Sequence, residues 1–207
     1  MLEVITGCMY SGKSEELIRR LRRCQIADQH TLVMKPAIDD RYSADSVATH
    51  VGGTLEAVAV KDVEDIKNVL KAGGFSYTGE VIGFDEVQFM NPEIIAVLEA
   101  EANRGVRVIV AGLDLDSDGN PFGPVAELLA RADKVTKLTA VCVAKVDPPR
   151  SNDRDALPYT CGKPATRSYR LPGADAGARV QVGSAGVYEA RCRACWARGR
   201  RCLTGSI

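Results

Sequence analysis

The sequence predicts an α/β fold in which residues 1–140 form a P-loop parallel-sheet nucleotide-binding domain and residues 141–207 form a small cysteine-rich subdomain. Three observations predict it. Short β-branched runs alternate with longer amphipathic ones over the first 140 residues, the pattern of βαβ units. Gly7-Cys8-Met9-Tyr10-Ser11-Gly12-Lys13-Ser14 fills the pattern G-x-x-x-x-G-K-[ST] between a predicted strand and a predicted helix. Cys142, Cys161, Cys192, Cys195 and Cys202, five of the seven cysteines, fall in the last third of the chain and mark a change of organisation near residue 140.

The strands are expected over 2–6, 31–34, 80–84, 106–111 and 134–138. Between the first two, Leu17, Ile18, Leu21 and Cys24 share one helical face, and Arg19, Arg20, Arg22 and Arg23 are expected on a solvated basic one. A further helix is expected from about residue 92, with Asn91 as N-cap, Pro92 in its first position and Arg104-Gly105 as its stop. The stretch 146–160 is polar, contains three prolines and reads as a surface excursion.

Composition narrows the class of function. The 27 basic and 27 acidic residues balance, whereas a nucleic-acid binder usually carries a basic excess to neutralise phosphates, so a small substrate is expected and no nucleic acid. The chain opens on a strand-like run, Leu2-Glu3-Val4-Ile5-Thr6, and carries neither the long apolar run of a secretory signal nor a stretch that would span a membrane. A cytoplasmic location without membrane attachment is the expectation.

The phosphate loop needs each of its parts. Its glycines let backbone N–H groups turn around a polyphosphate at a helix N-terminus, Lys13 reaches the β- and γ-phosphates, and the Ser14 hydroxyl is a Mg²⁺ ligand. A second acidic group is required at the end of a neighbouring strand, and Val81-Ile82-Gly83-Phe84-Asp85-Glu86 supplies two. Asp85 is the expected partner of Mg²⁺ and Glu86, pointing away from it, the expected acceptor of a proton from an attacking hydroxyl.

Several further motifs follow in order: Phe84-Asp85-Glu86-Val87-Gln88-Phe89, Gly112-Leu113-Asp114, Pro121-Phe122-Gly123, Lys137-Leu138-Thr139-Ala140-Val141-Cys142, Gly162-Lys163-Pro164-Ala165-Thr166-Arg167 and Tyr188-Glu189-Ala190-Arg191-Cys192-Arg193-Ala194-Cys195. Together with the phosphate loop they resemble the cytosolic-type, zinc-containing thymidine kinases over nearly the whole chain. The resemblance implies transfer of the ATP γ-phosphate to the 5′-hydroxyl of thymidine, with Glu86 as catalytic base, Gly7 to Ser14 with Asp85 and Gln88 at the ATP phosphates, and Ser14 and Asp85 at Mg²⁺. It implies that Met9, Phe89, Leu113, Phe122 and Tyr188 line the base pocket. It also implies a C-terminal lasso loop over about 163–188, in which Arg179, Val180, Gln181, Val182 and Gly183 contact thymine. Asp39 and Arg41 match a motif near the phosphates. A homotetramer and inhibition by thymidine triphosphate are implied as well. Ser117 stands where the family usually carries a pocket aromatic, which bears on base selectivity.

Cys192-Arg193-Ala194-Cys195 is one half of a typical tetrahedral zinc site. In the family the other half is also C-x-x-C; here Cys142 and Cys161 would form that pair, with the residues between them extruded as an insertion. Free thiols, or a redox dithiol at Cys192 and Cys195, are the competing readings. Cys8, Cys24 and Cys202 are expected to be non-ligands, and neither His30 nor His50 sits in a catalytic motif. Asp114-Leu115-Asp116-Ser117-Asp118-Gly119 imitates the start of a calcium-binding loop, but Val125 occupies the position that needs a bidentate glutamate, so an acidic turn is expected. Three alternatives remain for function: a regulatory P-loop nucleotide hydrolase, a deoxynucleoside kinase of altered base specificity, and a nucleic-acid module built on the arginines around Cys192 and Cys195.

Overall fold

The structure is a computed structural model; it describes residues 1–38, 46–48, 54–73, 79–147, 158–172 and 186–204, the side chains of 46–48, 54 and 201–204 excepted. Asp39, Arg41, His50, most of the 146–160 excursion and the proposed thymine contacts Arg179, Val180, Gln181, Val182 and Gly183 lie outside the described residues. The chain forms two compact units. One comprises Met1–Thr6, Gly12–Asp114 and Pro121–Leu138; the other gathers Gly7–Ser11, Leu115–Asn120 and Thr139–Ile207.

The first unit is built on a six-stranded sheet. Its strands are β1 (Leu2–Gly7), β2 (Thr31–Pro36), β5 (Val58–Val60), β6 (Val81–Phe84), β7 (Arg107–Gly112) and β8 (Lys134–Leu138), in the order β5-β2-β6-β7-β1-β8. A short antiparallel pair, β3 (Ser46–Ala48) and β4 (Thr54–Glu56), precedes β5. The pairs β5/β2, β2/β6, β6/β7 and β7/β1 are all parallel, with Leu2 opposite Val108 and Val81 opposite Arg107. Parallel neighbours need crossover helices, and these cover both faces of the sheet.

Alternation along the strands sorts side chains into two cores. Leu2, Val4, Ile82, Phe84, Val108 and Val110 join one apolar cluster with Ile94, Ile95 and Leu98 of α3 (Ile94–Asn103) and Leu128 of α4 (Val125–Arg131). That cluster also takes Ile66 of α2 (Val63–Ala72), whose N-cap Asp62 accepts a hydrogen bond from the Asp65 N–H. Ile5, Val33, Ile109 and Ala111 join the other cluster with Leu17, Ile18, Leu21 and Cys24 of α1 (Lys13–Ile26). Gly83 lets α1 approach: a Cβ there would stand 2.6 Å from Leu21 Cδ1.

The expected basic face of α1 needs one correction. Arg20 is buried: its guanidinium donates to Glu3 Oε2 at 2.6 Å, to Glu16 Oε1 at 2.8 Å and to Thr136 Oγ1 at 2.8 Å. Glu3, fully buried in β1, also accepts from Arg107 at 2.7 Å. Burial alone would raise the Glu3 pKa, but the hydrogen bonds and charges of Arg107 and Arg20 outweigh it and hold the carboxyl below its usual range. Removing one partner of such a buried pair typically costs about 3–5 kcal/mol, so this set is structural.

The start of α3 also differs from expectation. Asn91 Oδ1 accepts from the Glu93 N–H at 3.2 Å, but the bonds from Ile94 N–H to Asn91 O and from Ile95 N–H to Pro92 O are i→i+3 turns, so regular helix begins at Ile94. At the other end Gly105, at φ 96°, closes the helix as expected.

The second unit is made of small antiparallel pairs: β9 (Ala140–Val141) with β12 (Pro164–Ala165), β10 (Lys145–Val146) with β11 (Tyr159–Thr160), and β13 (Arg167–Arg170) with β14 (Tyr188–Arg191). The final helix, α5 (Arg193–Thr204), lies on the last pair. A Cβ on its Gly199 would meet Tyr169 at 2.7 Å, and the Arg191 guanidinium stacks 3.5 Å from the Tyr169 ring centroid. Among the described residues no helix is long and apolar enough to cross a membrane.

Candidate active site and metal centre

The phosphate loop runs from Gly7, at the end of β1, into α1. Gly12 adopts φ 82° and serves as the helix N-cap, so no side chain competes for the amides of the first turn. Lys13 and Ser14 are the first two helical residues, and the Ser11 hydroxyl is buried without a hydrogen-bond partner. A buried hydroxyl left unmatched inside a loop of this pattern is an atom that a phosphate oxygen would satisfy. The first half of the loop is held within the second unit. Cys8 Sγ donates to Ala165 O at 3.3 Å, Met9 N–H to Ser168 Oγ at 3.1 Å and Tyr10 Oη to Tyr188 O at 3.3 Å. Sequence reasoning missed Ser168, because nothing in its own motif announces a partner for a distant amide.

Asp85 and Glu86 follow β6 directly. The Asp85 N–H extends the ladder by donating to Met34 O at 3.0 Å, which fixes the carboxylate at the strand's C-terminal end. Its carboxylate accepts a hydrogen bond from Ser14 and lies within the field of Lys13. The order β6-β7-β1 leaves one strand between the acid and the phosphate loop, a separation of about 10 Å that Asp85 and the first turn of α1 bridge. Burial first, and the Glu86 charge second, raise the Asp85 pKa to about 7, against the opposing pull of Ser14, Lys13 and the Glu86 N–H.

A buried acid held partly protonated beside a hydroxyl is what a hard cation would replace: Ser14 and Asp85 are oxygen donors of the type Mg²⁺ takes. In metal- and nucleotide-free protein the unfolded chain releases this proton near the ordinary value of 3.8, whereas the folded chain keeps it up to about 7. The folded state therefore binds more protons in that window, and stability falls as pH rises through it. Asp85→Asn removes the effect. In chelator, the variant is expected to melt at a higher temperature than the parent at pH 8, and the gap to close near pH 4; parallel thermal melts across pH check it.

Glu86 occupies a left-handed conformation, φ 52°, uncommon for a residue with a Cβ. Gln88 explains how its side chain is held. Gln88 Oε1 accepts the Leu113 N–H at 3.0 Å, so the amide must turn its NH₂ group to Glu86 Oε2, with which it makes a short hydrogen bond. Gln88 thus orients the acid, a role its place in the motif had not shown. Glycines keep this contact close: a Cβ on Gly112 would stand 2.9 Å from Gln88 Oε1, and one on Gly123, at φ 53°, would stand 2.2 Å from Gln88 O.

Beside them Phe89 and Phe122 pack edge to face, ring centroids 5.6 Å apart. Asp114, buried at the end of β7, pairs with Lys137 at 2.6 Å. The acidic turn that follows closes on itself, Asp116 Oδ1 accepting from the Asp118 and Asn120 N–H groups at 2.9 Å. His30 is exposed and stands 3.7 Å from Glu80.

The ligand-type sulfurs of Cys142, Cys161, Cys192 and Cys195 all lie within 4.8 Å of one another, and Cys161 Sγ is 3.9 Å from Cys192 Sγ. Zn–S bonds of about 2.3 Å in a tetrahedron put sulfurs roughly 3.8 Å apart. The two distant cysteines meet because β10 and β11 zip the base of the excursion between them. Backbone bonds then fix the knuckle, from Cys161 N–H to Ala144 O at 2.9 Å and from Gly162 N–H to Cys142 O at 3.0 Å.

Titration of Cys142, Cys192 and Cys195 also fits a cation. Burial would raise Cys192, but the Cys195 N–H and the neighbouring thiols outweigh it and bring its pKa down to about 7; burial and those same neighbours push Cys195 up to about 12 and raise Cys142. The Cys192 thiolate is favoured at neutral pH, whereas Cys195 and Cys142 hold their protons until a positive ion joins them. Of the remaining cysteines, Cys8 is bonded to Ala165 O and Cys24 Sγ accepts from Arg107, while the Cys202 side chain lies outside the described residues.

The thymidine kinase family profile matches residues 1–196. The chain belongs to the thymidine kinase family. It is 48% identical to the thymidine kinase of Deinococcus radiodurans over 203 residues, covering 93% of this chain and 88% of the relative. It is 48% identical to that of Deinococcus deserti over 201 residues, covering 93% and 92%. Among solved structures, the genome packaging NTPase B204 of Sulfolobus turreted icosahedral virus 2 in complex with sulfate shares 17% identity at a TM-score of 0.45, over 67% of this chain and 74% of that one. As a thymidine kinase the protein is a phosphotransferase, and Lys13 and Ser14 with Asp85, and Glu86 next in the chain, are its candidate active site.

Proposed function

We propose that this thymidine kinase transfers the γ-phosphate of ATP to the 5′-hydroxyl of thymidine, giving dTMP. The observation that carries the reading is the meeting of Ser14, Lys13 and Asp85, with Glu86 next in the chain and held by Gln88. The amides of Gly7 to Ser14 wrap the polyphosphate, and Lys13 neutralises charge on its β- and γ-groups. Ser14 and Asp85 would hold Mg²⁺, which supplies charge neutralisation at the transferring phosphoryl group when bound. Glu86 takes the proton of the 5′-hydroxyl, and Gln88, bonded to Glu86 and to the Leu113 N–H, keeps that carboxylate aimed.

On the acceptor side Phe89, Leu113 and Phe122 serve the base, together with Met9 and Tyr188. The four cysteines hold a structural zinc ion, whose role is to order the small second unit. Homotetramer assembly, inhibition by thymidine triphosphate and a cytoplasmic location complete the proposal and rest on the family resemblance. Ser117 removes one aromatic ring from the base side, so a panel of thymidine, deoxyuridine and deoxycytidine with Mg-ATP tests the acceptor. Thymidine is expected to give the highest kcat/KM. A preference for deoxycytidine would contradict the assignment.

A further inference from the structure

Trp196 is the only tryptophan in the chain, and the active-site residues leave it without a role. It follows Cys195 directly in α5, and its own N–H donates to Cys192 O at 2.9 Å. Its indole Nε1 reaches the acidic turn, donating to Ser117 O at 3.1 Å. The ring lies flush on Gly119, where a Cβ would come within 2.9 Å of Cη2. One helical turn on, Arg200 donates to Asp118 Oδ1 at 2.6 Å and to Ser117 O at 3.4 Å, its guanidinium 4.9 Å from the Trp196 ring centroid.

Ser117, Asp118 and Gly119 are thus gripped from one face of α5. A Ser-Asp-Gly tip has little apolar surface of its own, and Gly119 stands at φ 85°, so the grip supplies order the turn's composition does not. Ser117, at the tip of this turn, stands at the position assigned above to the base side of the acceptor site.

We propose that Trp196 is a positioning residue for the nucleoside: anchored next to the cysteine cluster, it locks the Asp116–Asn120 turn and thereby sets the placement of Ser117 on the base side. The inference rests on the thymidine kinase reading above and deepens it, because it gives the metal-binding cluster a path to acceptor affinity rather than to the phosphates.

Trp196→Phe in the full-length, metal-loaded protein keeps a ring over Gly119 and removes the hydrogen bond to Ser117. Its thymidine KM is expected to rise by about three- to tenfold, the loss of one hydrogen bond, while kcat and the ATP KM stay within about twofold. Asp118→Asn, at an exposed carboxylate, weakens the Arg200 arm without touching the packed ring and is expected to shift the same constant in the same direction; it decides the matter if Trp196→Phe does not fold. In the parent protein, Trp196 emission is expected to move to longer wavelength when a chelator strips the metal. A parent enzyme that phosphorylates thymidine beside variants whose thymidine KM is unchanged overturns the positioning role alone. A parent that does not phosphorylate thymidine overturns the functional reading, and the role with it.

Discussion

Glu86→Gln is expected to lower kcat for thymidine phosphorylation by about 10²- to 10⁴-fold, the usual loss when a positioned general base is removed. The ATP KM should change little, because the proposed function places the phosphate contacts at Gly7 to Ser14 and Asp85. Two structural features make the variant a clean test. The side chain is isosteric and keeps Gln88 as a neighbour, and the φ of 52° at Glu86 is as accessible to Gln as to Glu. The substitution also removes the second of the influences that raise Asp85, so the Asp85 pKa should drop below its parent value of about 7. Steady-state kinetics together with a nucleotide-binding titration separate loss of chemistry from loss of binding; equal losses in kcat and in ATP affinity would place Glu86 at the phosphates instead.

Cys192→Ser is expected to abolish stoichiometric metal binding and to unfold the second unit. Its apolar cluster consists of Cys8, Cys142, Ala144, Ala165, Ala190, Cys192 and Cys195, small side chains that bury little area each. At about 25 cal/mol per Å² such a cluster yields little stabilisation, whereas a structural zinc site contributes an apparent ~10–16 kcal/mol at neutral pH in small domains. The sheet of the first unit has its own two cores and should keep its secondary structure. Metal analysis, with hydrogen exchange read separately for residues 139–204 and for the β-strands, checks both halves of this expectation. Protection over 139–204 that survives metal loss would make the cluster dispensable.

Much of this fold is legible in the sequence because strands buried on both faces are mostly β-branched and apolar, as Val4-Ile5, Val81-Ile82 and Val108-Ile109-Val110 show. The phosphate loop is legible for a different reason: glycine takes the φ of Gly12 cheaply, and Gly12-Lys13-Ser14 completes an eight-residue pattern between a strand and a helix. Arg20 was misjudged although its signal was present. It lies three residues after Leu17 and four before Cys24, on the buried stripe of α1, and Glu3 sits inside a strand with no exposed face. The charge of Arg20 predicts solvent and its place in the helical period predicts burial; in the fold burial prevails because Arg20 and Glu3 satisfy one another. Gln88, Ser168 and Trp196 escaped for a third reason, since each acts on a backbone group far away in the chain, and backbone groups leave no mark in a sequence. The junction of Cys142 with Cys161 was readable only through the rule that a broken C-x-x-C can extrude its insertion, which the β10/β11 pair shows in physical form.

The proposed function makes Asp85 and Glu86, with Lys13 and Ser14, one phosphoryl-transfer site with a sugar alcohol as acceptor. Its most direct measurement follows γ-labelled ATP through a single turnover with thymidine and Mg²⁺. The label is predicted to appear on dTMP, in parallel with ADP, and to stay on ATP when thymidine is left out. Label released as inorganic phosphate at the same rate with or without thymidine would contradict it.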